Sequence, residues 1–70
     1  MFNFKEQGTV TVTAMSRDLT YLTVGETYSY ELSDKSYVHF TRLVNGRECG
    51  TFEKLSMLEA FQKQNRISFA

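Results

Sequence analysis

The sequence has little of what holds many small proteins together through disulfides or metal ions. It contains one cysteine, Cys49, and one histidine, His39. A single cysteine excludes an internal disulfide scaffold. One cysteine with one histidine falls short of the four ligands of a structural zinc site. There is no proline, and only four glycines punctuate the chain. We therefore expect no metal and no cofactor.

Long apolar runs and an excess of charge of either sign are also missing. No stretch approaches the roughly 18 apolar residues of a membrane-spanning helix, and residues 1–8 lack the apolar segment of a signal peptide. Eight basic residues balance eight acidic ones. A net charge of zero excludes the broad basic surface of a sequence-blind nucleic-acid binder, and also an acidic mimic of DNA. These absences predict a cytoplasmic protein with no membrane partner.

What the chain does contain is enough for one small folded domain. Of its 70 residues, 41% are hydrophobic and 23% are charged, a composition typical of folded, soluble proteins. A chain of this length buries only about 60% of the surface that its unfolded form exposes. We therefore treat residues 1–70 as a single domain whose core supplies no more than about 3–5 kcal/mol of net stability.

Alternation of apolar and polar residues predicts several short strands. Residues 9–14 and 27–32 alternate with a period of two, which is typical of half-buried strands. Their apolar positions are Val10, Val12 and Ala14 in the first, and Tyr28, Tyr30 and Leu32 in the second. Phe2 and Phe4 share this period and either extend the first strand or cover one end of the core. Residues 67–69 resume the alternation and predict a last short strand.

A tight hairpin is predicted in the middle of the chain. Residues 37–44 are the longest strand candidate, and the Asn45-Gly46 dipeptide that follows suits a type I′ turn. Residues 47–53 should then return antiparallel. A two-residue turn gives the pairs Val44–Arg47, Arg42–Cys49, Phe40–Thr51 and His39–Phe52.

Both faces of this predicted hairpin are partly apolar. One face carries Val38, Phe40, Arg42, Val44 and Cys49, and the other carries Tyr37, His39, Leu43 and Phe52. The sheet should therefore be covered on both sides or curl on itself, and a curled sheet also hides its edges.

One helix is predicted near the C-terminus. Residues 56–59, Ser-Met-Leu-Glu, match a capping box, in which the serine hydroxyl and the glutamate side chain bond each other's backbone amides. The helix should begin near Ser56 and end near residues 64–65. Its apolar stripe consists of Met57, Leu58 and Phe61. A helix this short is not stable alone in water and must pack on the sheet.

These elements predict a mainly β fold. It is a small bent antiparallel sheet, or an SH3-like barrel, of five to six strands with one short C-terminal helix. The competing architecture is a sheet with the helix packed on one face.

Catalytic signals are weak. His39 and Cys49 are the only obvious base and nucleophile, and the predicted hairpin places them on opposite faces. The four glycines follow no phosphate-loop spacing. We therefore expect a protein that is not an enzyme.

Tyrosines are the most suggestive functional feature, because tyrosine is enriched at protein interfaces. We expect an exposed patch of Tyr37, His39 and Arg47, with Tyr30 as a possible neighbour. Tyr28 and Tyr30 have the alternative role of filling the core with their hydroxyls at its rim. The patch would bind a protein partner, with the chain acting as a monomer or a homodimer.

Nucleic acid is the less favoured partner. Five basic residues lie in the second half of the chain, namely Arg42, Arg47, Lys54, Lys63 and Arg66. A modest basic edge with aromatic residues nearby could contact a strand of nucleic acid, although an ordinary solvated surface has the same composition.

The segment Leu22-Thr23-Val24-Gly25-Glu26-Thr27-Tyr28 resembles the small SH3-like barrels of bacterial and phage proteins. These often carry a Val-Gly-x-x-Tyr entry into a strand, followed by a tight hairpin and a short helical turn. The resemblance covers roughly residues 20–60. It implies binding rather than catalysis, as in small accessory or phage-encoded proteins that inhibit or modulate a larger host protein.

Overall fold

The computed structural model describes residues 1–34, 36–43 and 50–70. They form β1 (Gln7–Met15), β2 (Thr27–Ser33), β3 (Tyr37–Arg42), β4 (Gly50–Lys54), α1 (Leu55–Lys63) and β5 (Ile67–Phe69). Neighbouring strands are antiparallel in the spatial order β4-β3-β2-β1-β5. The sheet is curled into a half-barrel, and the mainly β fold with one short helix is confirmed.

The inner face of this half-barrel holds the core. Alternate residues of β1, β2 and β3 point inward and are almost fully buried: Val10, Val12, Tyr28, Tyr30, Val38 and Phe40. The predicted inward position of Ala14 is wrong, because its side chain is exposed. The pairing of β1 with β5 shifts register between Val12 and Ala14, and such a bulge interrupts the strict alternation of faces.

The connection between β1 and β2 closes one end of the core. Sequence composition predicts a polar turn over residues 15–20, but Leu19 is buried there, as is Leu22 a few residues later. The connection then turns at Gly25, whose positive φ of 89° is readily adopted only by glycine. No strand forms over residues 21–24.

The N-terminal segment covers the core rather than extending β1. Phe4 packs edge-on against Tyr30, Phe40 and Phe69 with ring centroids 5.0, 5.8 and 5.2 Å apart. The buried side chain of Gln62 holds the segment in place. Its Oε1 accepts from the backbone N–H of Phe2 at 2.6 Å, and its Nε2 donates to the Phe2 carbonyl at 3.0 Å. The second of the two roles open to Phe2 and Phe4 is therefore the one observed.

The helix begins one residue earlier than predicted and without the capping box. Its N-cap is Lys54, no side chain bonds the cap, and Ser56 lies inside the first turn. The N–H of Leu55 instead donates to the carbonyl of Ser36 at 2.9 Å, in the turn between β2 and β3. A tertiary contact thus takes the place of the local motif.

The buried stripe of α1 also differs from the prediction. Leu58 and Phe61 are buried as expected, but Met57 is 43% exposed and Gln62 takes the remaining inward position. The helix ends at Lys63, close to the predicted end. Asn65 adopts a φ of 58°, and the N–H groups of Asn65 and Arg66 donate to the carbonyls of Gln62 and Phe61. This pair of bonds is a Schellman motif.

The predicted hairpin register is confirmed where the structure describes it. Phe40 pairs with Thr51 and His39 with Phe52. The predicted Asn45-Gly46 turn and the pairs Val44–Arg47 and Arg42–Cys49 lie outside the described residues.

The core tyrosines have polar partners at the rim. The hydroxyl of Tyr28 accepts from the N–H of Thr23 at 2.9 Å, and that of Tyr30 accepts from the N–H of Lys5 at 3.2 Å. A Cβ atom at Gly8 would lie 3.0 Å from the Tyr30 hydroxyl oxygen, so glycine permits the ring to lie across β1. Tyr28 and Tyr30 are therefore core residues.

Tyr21 differs from Tyr28 and Tyr30 in the surroundings of its hydroxyl. Its hydroxyl oxygen is buried and has no hydrogen-bond partner among the described residues. Burial, with a smaller contribution from the charge of Glu53, raises the pKa of Tyr21 to about 12.

We predict that Phe61→Ala lowers the free energy of unfolding by about 3–5 kcal/mol, because it removes a buried ring from a small core. This loss is comparable to the stability of the whole domain. Met57→Ala is the matched control on the exposed side of the helix and should change stability little. Chemical denaturation followed by circular dichroism measures both. Equal midpoints for the two variants would contradict the packing of α1 described above.

We predict opposite effects of removing the hydroxyls of Tyr21 and Tyr28. Tyr28→Phe leaves the Thr23 N–H without its acceptor and should cost about 1–3 kcal/mol. Tyr21→Phe removes an unpaired buried hydroxyl and should be neutral or stabilising at pH 7. The folded protein also holds the Tyr21 proton more tightly than the unfolded chain. That contribution to stability is complete below pH 10 and is lost as the pH rises towards 12.

Denaturation curves at pH 7 and across the alkaline range test this pair. Tyr21→Phe should flatten the alkaline loss of stability relative to the parent. If Tyr21→Phe lowered the free energy of unfolding at pH 7 more than Tyr28→Phe, the Tyr21 hydroxyl would not be the unpaired one.

Candidate functional site

The structure brings together two of the four predicted site residues. Tyr37 and His39 lie on the outer face of β3, where Tyr37 is 42% exposed and His39 is half-buried. Tyr30 is only 5% exposed and faces the core. Its predicted place in an exposed patch is therefore wrong, since period-two alternation along β2 turns it inward. Arg47 lies outside the described residues.

The outer face of the sheet is built by the strand register. Glu31 of β2 lies opposite His39, which in turn lies opposite Phe52 of β4. Tyr37 lies opposite Lys54 at the end of β4. Towards β1 this face carries mainly threonine and serine, whereas at the β4 side it carries exposed Phe52, Leu43 and Tyr37. We call Tyr37, His39, Leu43 and Phe52 the outer patch.

His39 and Phe52 form the centre of the outer patch. Their rings stack with centroids 4.2 Å apart and planes inclined by 8°. This contact covers one side of the half-buried His39 ring. Phe52 remains 60% exposed, although it is a large apolar side chain. The stacked pair therefore offers one open ring face to solvent.

The hydrogen-bond ladder explains the close approach of these rings. The N–H of Leu32 donates to Glu6 at 2.8 Å, so even-numbered residues of β2 bond towards β1 and odd-numbered ones towards β3. Glu31 and His39 thus form a hydrogen-bonded pair. By the same alternation, His39 and Phe52 form a non-hydrogen-bonded pair, the type in which side chains lie closer together.

Shallow depressions flank the outer patch. One, of about 380 Å³, is lined by Glu31, Leu32, Ser33, His39 and Phe52. Another, of about 440 Å³, lies beside Tyr37 and is lined by Ser36, Lys54, Leu55, Ser56 and Glu59. Carboxylates and a lysine both border the surface, so it carries no strong charge of one sign.

Two of the five basic residues suggested as a nucleic-acid edge are engaged elsewhere. Arg42 forms an ion pair with Glu26 at 3.1 Å. Arg66 pairs with Asp18 and lies over the ring of Phe61 at 4.7 Å. The Ser16 hydroxyl, and to a smaller extent Arg66, hold the pKa of Asp18 below its usual value. These partners reduce the positive charge available for binding phosphates.

Phe52 is the residue that the predicted site lacked. The predicted register already placed it opposite His39, on the hairpin face that also carries Tyr37 and Leu43. An apolar residue at an outward position next to another aromatic ring was the signal that could have identified it.

Groups suited to metal chemistry do not converge in the part of the chain that the structure describes. Within it, no three His, Cys, Asp or Glu side chains are close enough to hold a metal ion. Cys49, the other half of the nucleophile and base pair considered above, lies outside the described residues. No helix in the described ranges is long and apolar enough to cross a membrane.

Comparison with known proteins finds no matching family model, no matching curated protein and no matching solved structure.

Proposed function

We propose that this chain is a protein-interaction module that docks on a larger protein through the outer patch and inhibits or modulates it. The observation that carries this proposal is the 60% exposure of Phe52 on a face that also carries the exposed Tyr37 and Leu43. The inner face already supplies a filled core. Apolar side chains on the outer face are thus available for a partner, and aromatic residues are enriched in protein interfaces.

Two further features support binding rather than catalysis. The net charge is zero, which suits an interface driven by contact rather than by bulk electrostatics. The segment at residues 22–28 resembles small barrel proteins of bacteria and phages that act by docking, and a phage or accessory origin is part of the proposal. A cytoplasmic setting fits a chain whose one cysteine provides no internal disulfide.

We predict that Phe52→Ala and Tyr37→Ala each weaken partner binding by about 2 kcal/mol, or roughly 30-fold, because central aromatic anchors dominate interface energies. Thr9→Ala, on the outer face of β1, is the matched control and should leave binding unchanged. Proteins captured by the immobilised parent are quantified against each variant. The differentially retained protein is then purified and its affinity measured directly.

Circular dichroism must first show that each variant keeps its fold. If the affinity of the purified partner is the same for the parent, Phe52→Ala and Tyr37→Ala, the outer patch is not the interface. The exposed side of α1 with Glu59 and Lys63, together with Lys54 at its N-cap, would then be the surface to test.

Nucleic-acid binding is the second candidate, and the stacked His39–Phe52 pair is the observation that favours it. Exposed rings on a sheet can stack on unpaired bases. Against it stand the neutral charge and the carboxylate of Glu31 next to His39. We expect a single-stranded oligonucleotide to bind only weakly in fluorescence anisotropy. Tight binding that falls steeply with added salt would favour this candidate, because phosphate contacts release counterions.

A further inference from the structure

The outermost strand β4 offers backbone groups as well as side chains. It is an edge of the sheet, paired on one side with β3. Because His39 and Phe52 form a non-hydrogen-bonded pair, the N–H and C=O of Phe52 point away from β3. Neither group bonds to another described residue. A strand edge with outward groups of this kind is a template for a further strand.

We infer that β4 pairs antiparallel with β4 of a second copy of this chain, about a two-fold axis at Phe52. This inference goes beyond the proposed function, because the partner is a second copy of the chain rather than a larger protein. At that axis Phe52 lies opposite Phe52 of the second copy, and the two residues exchange both outward N–H···O bonds. A symmetric contact of this kind closes as a dimer rather than growing into a filament.

The charges along β4 disfavour two alternative registers. With the axis at Phe52, Thr51 lies opposite Glu53 of the second copy and Gly50 lies opposite Lys54. An axis at Glu53 or at Lys54 would place like charges directly opposite each other, which is destabilising. The zero net charge of the chain also adds no long-range repulsion between copies.

The aromatic rings of Phe52 also favour a two-fold axis at this residue. Phe52 stacks on His39 at 4.2 Å and presents its other side to solvent. Pairing two copies at Phe52 sets the two phenylalanine side chains directly across from each other on the outer face. Aromatic cross-strand pairs of this type stabilise antiparallel sheets. The dimer thereby joins the two outer patches into one continuous surface.

Two features keep this dimer weak. A strand of five residues buries less than the approximately 800 Å² per partner of a standard interface. The carboxylate of Glu53 also accepts from the N–H of Lys54 at 3.3 Å, a group that the second copy would otherwise use. Association should therefore depend on protein concentration, and Glu53→Ala should strengthen it by releasing the Lys54 N–H.

Sedimentation equilibrium of the purified chain over a wide concentration range tests the inference. The mass of the parent should rise towards twice the monomer value. Phe52→Lys should stay monomeric, because it places two like charges across the axis. Ser68→Lys adds the same charge on β5, at the other edge of the sheet, and should dimerise like the parent. A parent that remains monomeric throughout, or a Phe52→Lys variant that dimerises equally well, would overturn the inference.

A second variant and a direct measurement distinguish loss of the dimer from loss of the fold. Phe52→Pro removes the outward N–H but no ladder bond to β3, so the fold should survive while the dimer is lost. Isotope-filtered NMR on a mixture of labelled and unlabelled parent should show contacts between the Phe52 rings of the two copies. A dimeric sample without these contacts would also overturn the assignment.

These experiments use the chain alone and are independent of partner capture. A monomeric chain that still captures its partner through Phe52 and Tyr37 would refute the dimer and leave the proposed function standing. A dimer that captures no other protein would refute the proposed function and leave the inferred dimer standing.

Discussion

The burial of Phe40 is the contact on which the rest of the structure depends. It lies near the middle of β3, is fully buried, and faces the inside of the half-barrel. Rings from three other parts of the chain meet it: Phe4 from the N-terminal segment, Tyr28 from β2 and Phe69 from β5. The sheet must curl for these rings to reach one another. The same curvature brings the helix and the N-terminal segment onto the open side of the half-barrel.

Because the core lies on one side of the sheet, the two faces of the sheet differ in composition and in role. The buried residues of the core come from β1, β2, β3 and β5, from Leu58 and Phe61 of the helix, and from Leu19 and Leu22 of the β1–β2 connection. The outer face is polar over β1 and β2 and becomes apolar only near β4. Phe52 lies on the outer face and does not contribute to the core. Its exposure is a feature of the surface, and this asymmetry is the physical basis of the proposed binding role.

The strands were the most predictable part of the fold, because their signals are local. Period-two alternation located β1 and β2, and a two-residue turn at Asn45-Gly46 was enough to derive the observed pairs Phe40–Thr51 and His39–Phe52. Tyr37 and His39 were placed on the outer face by the same reasoning. Tyr30 was misplaced in the patch although its own alternation pointed inward.

The helix and its contacts were less predictable, because they depend on distant residues. The bond from Leu55 to Ser36 continues the pairing of β3 with β4 up to the start of α1, where the local capping box does not form. The inward position of Gln62 depends on the backbone of Phe2, which lies 60 residues away in sequence. No local pattern marks a glutamine as the residue that binds the chain's opposite end.

β1 pairs with two strands, β2 and β5, that lie far apart in the sequence, and this affects how the protein folds. Residues 7–11 of β1 pair with β2, whereas its later residues pair with β5, as in Val12 with Phe69 and Met15 with Ile67. Those last partners are more than 50 residues apart in sequence. Closing so long a loop costs entropy before any contact compensates for it. During synthesis, the second half of β1 has to wait for the final residues of β5 to emerge. Ile67 and Phe69 can join the core only once this pairing has formed.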